Sequence, residues 1–231
     1  MAYDFIGLVN DVNRRLNEVE VNSTDFPTAT GFYSFAKDAV NHSIRHIQQE
    51  EFNWPWNFIE EQTVLNAGQM RYDFPFDAKT IDFNTFRIKR NATLGTDTVK
   101  LKICSYEDYL ERFIDDEYNV ASNIRAIPQK IIRSPNREFI VHPSPDKAYT
   151  LVFEYYSTGF DLELFTDAPT LPEQYRYVIV DGAMYYVYHF RGDMGAANNA
   201  LQRFEQGIKH LRTLHINRPD YLRDTRIRAN Y

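Results

Sequence analysis

The amino-acid sequence predicts an α+β protein in which both chain ends build a helical bundle, an antiparallel β-rich insertion stands between them, and an extended C-terminal tail follows. Three observations predict it. Apolar residues recur at three- and four-residue intervals before residue 50 and again after residue 174. The stretch from Phe58 to Phe160 alternates with a period of two between turn signals. From Arg212 onward, Pro219 and a run of arginines break both patterns. The expected units are therefore a helical bundle of 1–57 with 170–211, a β-rich domain of 58–169, and a tail of 212–231.

Phe5, Val9, Val12, Leu16 and Val19 fall on one face and predict the first helix. After the polar stretch Asn22 to Asp25 and Pro27, a second helix is lined by Phe32, Phe35, Ala36, Ala39, Val40, Ser43, Ile44 and Ile47, with Lys37, Asp38, Arg45 and Gln48 opposite. Pro55, inside Trp54-Pro55-Trp56, holds Trp54 away from helical dihedrals, so the helical run ends there and strands begin. Strands are expected near 58–66, 70–74, 80–89, 97–103, 129–133, 137–142 and 148–157, separated by signals such as Ala67-Gly68-Gln69, Thr93-Leu94-Gly95 and Ser134-Pro135-Asn136. Lys147 to Tyr156 alternates most cleanly: Ala148, Thr150, Val152, Glu154 and Tyr156 face one way and Tyr149, Leu151, Phe153 and Tyr155 the other. Ser105 and Asp108 have N-cap spacing ahead of a short helix, Tyr106 to Ile114. Thr170 and Glu173 have capping-box spacing ahead of the helix Gln174 to Phe190, which is apolar nearly all round and should be buried on most sides. Asp193 caps a fourth helix striped by Ala197, Leu201, Phe204, Ile208, Leu211 and His215.

Composition removes several function classes. With 43% apolar and 25% charged residues in 231, the chain has the balance of a folded globular protein, not of a disordered, collagen-like or coiled-coil one. Its 16 Tyr, 17 Phe and 2 Trp supply large contact areas for cores and interfaces. None of the nine glycines fits dinucleotide-binding, P-loop or nucleophile-elbow spacing. Cys104 is alone, so there is no intrachain disulfide and no cysteine zinc site, and the chain suits a reducing cytoplasm. Met1 to Leu16 is too polar for a signal peptide, and Val178 to Phe190 is interrupted by Asp181 and too short for a membrane span. No cofactor or metal is expected.

Net charge is −6, which argues against a general nucleic-acid coat. The charge is uneven. Arg212 to Tyr231 holds five arginines against Asp220 and Asp224, a net of +3 that leaves −9 on the rest. Arg218, Arg223, Arg226 and Arg228 interleave with Tyr221, Leu222, Ile227 and Tyr231, and Arg with Tyr is the pairing enriched at binding hot spots. This tail is expected to be poorly ordered alone and to dock on another protein through Arg218, Tyr221, Arg223, Arg226, Ile227, Arg228 and Tyr231.

Other candidates carry less. His42 and His46 have the spacing of two ligands on a helix face, but no H-E-x-x-H motif accompanies them, so a place in the helix face is expected. Glu50-Glu51, Glu60-Glu61 and Asp115-Asp116 could be carboxylate pairs for glycoside hydrolysis. Adjacent strand residues face opposite ways, which suits Glu60 and Glu61 poorly to one site. Trp54, Trp56 and most tyrosines are expected in the core.

The order of these features resembles the head-to-tail adaptor proteins of tailed phages, among them the tail tubular protein A and tail accessory adaptors of short-tailed phages. The resemblance rests on helices ending in Trp54-Pro55-Trp56-Asn57, the strand Glu60 to Leu65, the turn Gly68-Gln69, Tyr72-Asp73-Phe74-Pro75 with Asp77, and the strand Phe83 to Arg90. The run from Thr170 to Val180 is similar to the segment that opens those proteins' penultimate helix. It implies a non-enzymatic virion protein made in the host cytoplasm. Twelve copies, monomeric alone, would bind beneath the portal, extend the channel through which genomic DNA passes without sequence-specific binding, and carry the tail nozzle. It further implies a helical ring with the C-terminal segment reaching onto the portal. The rival readings are a tail-associated glycoside hydrolase using Glu60 or Asp115 with the tryptophan pair, and a small nucleic-acid-binding regulator working through the basic tail.

Overall fold

The computed structural model describes residues 3–50, 52–90, 97–118 and 125–215. N-terminal helices, a β-rich middle and C-terminal helices follow one another, the α+β order expected, and no helix among the described residues is long and apolar enough to cross a membrane. The chain divides into two units, one of residues up to Phe52 together with those from Asp161, the other Asn53–Phe160.

The first unit is a bundle of α1 (Phe5–Arg15), α2 (Phe32–Gln49), α5 (Arg176–Phe190) and α6 (Met194–His215). Asp4 caps α1 by accepting from the Gly7 amide at 2.9 Å, while the Phe5 and Ile6 amides donate to the carbonyls of Asp167 (2.7 Å) and Phe165 (3.2 Å). Helix termini leave such amides without internal partners, so a loop supplies them. The periodicity overran the helix at its other end. Asn17 adopts φ +57°, its amide returns to Arg14 O at 3.1 Å, and the Glu18 amide returns to Asn13 O at 2.9 Å. This Schellman closure ends α1 and leaves Val19 74% exposed.

Helix α5 lies between the others and packs against α1, α2 and α6. Val178, Ile179, Val180, Ala183, Met184 and Val187 are buried, as an all-round apolar helix requires, but Tyr177 and Phe190 are exposed. Gly182 makes the close approach possible: a Cβ there would lie 2.2 Å from Ser43 Oγ and 2.6 Å from a Phe204 ring carbon. The capping box does not form. A 3-10 turn, Glu173–Tyr175, precedes α5, and neither the turn nor the helix has a side-chain cap. Thr170 Oγ1 instead accepts from Gln48 Nε2 at 3.1 Å, so Gln48, expected on a solvated face, is buried. Asp193 does cap α6, accepting from the Ala196 amide at 3.0 Å.

In the second unit, a 3-10 turn at Pro55–Asn57 leads into β1 (Phe58–Leu65), followed by β2 (Arg71–Asp73), β3 (Ala78–Lys89), β4 (Thr98–Lys100), β5 (Lys102–Cys104), α3 (Tyr106–Arg112), α4 (Ile114–Tyr118), β6 (Lys130–Arg133), β7 (Glu138–His142) and β8 (Tyr149–Ser157). One sheet runs β1-β8-β3-β4, all antiparallel, and the other β2-β7-β6-β5, in which β5 and β6 are parallel. The single strand expected at 97–103 is thus two strands in different sheets. The switch is at Leu101, which is buried between them: its amide donates to Phe86 O and the next amide, Lys102, donates to Gln129 O, both at 2.9 Å.

Facing residues of both sheets form one aromatic core. Phe86 stacks on Phe153 at 4.7 Å and meets Phe139 edge-on at 5.4 Å, with Leu65, Ile88, Leu101, Ile131 and Leu151 around them. Residues 149, 151, 153 and 155 are buried and those between are not, so the alternation of β8 reads as the sequence implies. Helix α3, capped by Ser105 as expected, lays Tyr109 on Met70, Ile132 and Ile140.

Candidate functional site

All seven tail residues expected to dock, Arg218, Tyr221, Arg223, Arg226, Ile227, Arg228 and Tyr231, lie outside the described residues. Arg212, taken as the first residue of the tail, belongs to α6, where its guanidinium pairs with Glu50, and the helix runs on to His215. His215 Nε2 is 3.1 Å from Tyr175 Oη.

The candidate chemistry is dispersed. His42 lies against Tyr186 and His46 against Phe204, with ring centroids 5.4 and 5.0 Å apart, and no group of three metal-ligating side chains occurs among the described residues. Trp54 is buried and stacks on Trp56 at 4.8 Å. Glu60 and Glu61 take opposite faces of β1, Glu60 opposite Glu154 and Glu61 opposite Phe153.

The acidic run on α4 is largely engaged within the unit. Asp116 Oδ2 is 2.9 Å from His142 Nε2. Glu117 accepts from Arg71 Nε at 2.6 Å and Nη2 at 3.0 Å and also from the Tyr109 hydroxyl, while Arg71 reaches Glu138 at 3.4 Å. These contacts clasp α4 to β2 and β7. Burial pushes the Glu117 carboxyl up, but the hydrogen bonds from Arg71 and Tyr109 outweigh it and hold the group below its ordinary value. A carboxylate with a depressed folded pKa stabilises above its ordinary value near 4.3, and that stability is lost as pH falls through the lower folded value. Arg71→Gln is therefore expected to cost about 2 kcal/mol at pH 7, as the loss of charge-assisted hydrogen bonds does, and the gap to wild type to narrow as the pH falls below the ordinary carboxylate value. Both tryptophans belong to this unit, so fluorescence-detected urea unfolding reads it. A gap that stays constant down to the acid unfolding of both proteins would show that the clasp is not its source.

A different acidic feature was invisible in one dimension. On the outer face of the first sheet, Glu60, Glu154 and Asp82 stand in register across β1, β8 and β3. Like charges directly opposite one another weaken a sheet, so folding alone does not favour this row. On the helical unit, ion pairs tie α1 to α5: Arg15 to Asp181 and Asp11 to Arg176. Large apolar side chains also reach solvent, among them Phe76 (86% exposed) with Phe160 against it at 6.3 Å.

The profile of the SU10 adaptor protein family matches residues 3–228. The chain belongs to the SU10 adaptor family. The match spans both units, and the head-to-tail adaptor resemblance read from the sequence holds. No curated protein matches the chain. The chain is accordingly a structural head-to-tail connector of a tailed phage, a virion component that meets portal and tail proteins. The hydrolase and regulator readings have no support. What sequence reasoning missed were the carboxylate row and the α4 clasp, whose members lie between 8 and 94 positions apart and meet only through strand register and packing.

Proposed function

We propose that twelve copies of this SU10 adaptor form a ring beneath the portal, extend the DNA channel and present a platform to the tail nozzle. The observation that carries the reading is the family match over residues 3–228, which spans nearly the whole chain. Arg218, Tyr221, Arg223, Arg226, Ile227, Arg228 and Tyr231 dock on the portal, arginines pairing with carboxylates and the apolar anchors entering pockets. Genomic DNA passes without sequence-specific binding. The row of Glu60, Glu154 and Asp82 supports this part, since a wall that repels phosphate lets a duplex slide, and its cost to the sheet then has a use.

A ring made before its template would be unproductive, so individual contacts between copies are weak and add up only on the portal. The protein is expected to scatter light as a monomer in dilute solution and to join portal rings at a ratio of one copy per portal subunit when the two are mixed. A stable dodecamer without portal would overturn the template dependence. Absence of any complex with portal would overturn the reading itself.

A further inference from the structure

The β-rich unit carries a pocket whose charge runs against that of the chain. Between β3 and the turn joining β6 to β7, a cavity of about 230 Å³ is walled by Phe74, Ile81 and Phe83 and rimmed by Lys79, Arg133 and Arg137. Arg137 donates to the carbonyls of Ala78 at 3.3 Å and Phe76 at 3.5 Å, which fixes its guanidinium at the rim without neutralising it. Among the described residues no carboxylate pairs with Arg133 or Arg137. Converging cations beside an aromatic wall fit a ligand that is apolar on one side and anionic on the other.

The helical unit carries the complement. In the loop Leu162 to Asp167, the amides of Glu163 and Leu164 both donate to Asp167 Oδ2, at 2.9 and 2.7 Å. Asn41 brackets Leu162 with two hydrogen bonds of 3.0 Å, and the Phe5 amide holds the Asp167 carbonyl at 2.7 Å. The backbone is pinned, yet Leu164 is 65% exposed and Glu163 is exposed with no ion pair among the described residues. Several other exposed apolar side chains have acidic neighbours that are already engaged. Glu117 beside Tyr118 is held by Arg71, Asp161 beside Phe160 by Arg45, and Glu18 and Glu20 beside Val19 by Arg191 and Arg14.

We infer that Glu163 and Leu164 of one copy enter the pocket of Lys79, Arg133 and Arg137 on the next, the leucine against the aromatic wall and the carboxylate among the cations. Knob and pocket are different surfaces, so the contact is heterologous and, repeated, closes a ring. The inference rests on the ring proposed above and supplies it with a contact. Arg137 also offers a clean variant. Its φ of +50° lies in the left-handed region, where glycine is at ease, so Arg137→Gly removes the cation while relieving the backbone.

The test is carbodiimide coupling of the full chain at about 0.5 mM, mixing unlabelled protein with protein labelled with nitrogen-15. The reagent joins a carboxylate to an amine in direct contact. Mass spectrometry is expected to find Glu163 coupled to Lys79 in mixed-isotope peptides, with the yield at least ten-fold lower in Arg137→Gly and in Glu163→Gln. Thermal unfolding checks that each variant is folded. A Glu163→Lys, Arg137→Glu double variant should recover self-association that either single change removes, read by sedimentation. Absence of the coupled peptide, coupling within one isotope only, or unchanged coupling in Arg137→Gly overturns the contact. If portal binding survives that result, the adaptor ring stands and only this contact falls.

Discussion

Removal of residues 218–231 is expected to abolish binding to portal while leaving thermal unfolding within about 1 °C of the full chain. The described core is complete before them: Phe204, Ile208 and Leu211 close the buried stripe of α6, and Arg212 and His215 make the helix's last ionic and aromatic contacts. Four arginines and the anchors Tyr221, Ile227 and Tyr231 would be lost together. One hot-spot residue is worth about 2 kcal/mol, or roughly thirty-fold in affinity, so losing several takes a complex beyond detection at micromolar concentration. Surface plasmon resonance on immobilised portal reads the first half and differential scanning calorimetry the second. Unchanged affinity would assign docking to the helical face. A lower unfolding temperature would place the segment in the core.

Gly182→Val is expected to destabilise the helical unit by more than about 3 kcal/mol. The first carbon added would stand 2.2 Å from Ser43 Oγ and 2.6 and 2.8 Å from two carbons of the Phe204 ring. Neither neighbour can yield cheaply. Ser43 Oγ is held by its donation to Ile179 O at 2.8 Å, and Phe204 is buried beneath α5. Replacing a helical glycine by alanine normally gains about 1 kcal/mol, whereas overpacking a tight core costs about 1–3 kcal/mol, and valine adds two methyl groups to the clash. Clash therefore wins over propensity. Gly207→Ala is the control: the nearest atoms to its new carbon all belong to the Val178 side chain, at 3.0 Å and beyond, so the two effects should nearly cancel. Urea unfolding followed by helical circular dichroism separates the cases, and equal midpoints for both variants would refute the close-packing account.

The four main helices, the alternation of β8 and the Ser105 and Asp193 caps were legible along the chain, because each depends on residues only a few positions apart. Period and capping geometry are local, and burial follows from them once a partner exists. The family resemblance was legible for the same reason, since it rests on an order of short motifs. What local pattern could not show is what register and packing decide. The strand written at 97–103 divides at Leu101 because two sheets, not one, offer backbone partners on either side of it. Gln48 is buried because Thr170, 122 positions away, waits for its amide. Asp116 and Glu117 look like an open acidic edge until His142 and Arg71 reach them, whereas Glu60, Glu154 and Asp82, which no pattern along the chain links, become a row once three strands align. Composition and periodicity thus determined the elements and their kind. Which side chains meet was left to the tertiary structure, because hydrogen bonds and charges act over a few ångströms of space and take no account of distance along the chain.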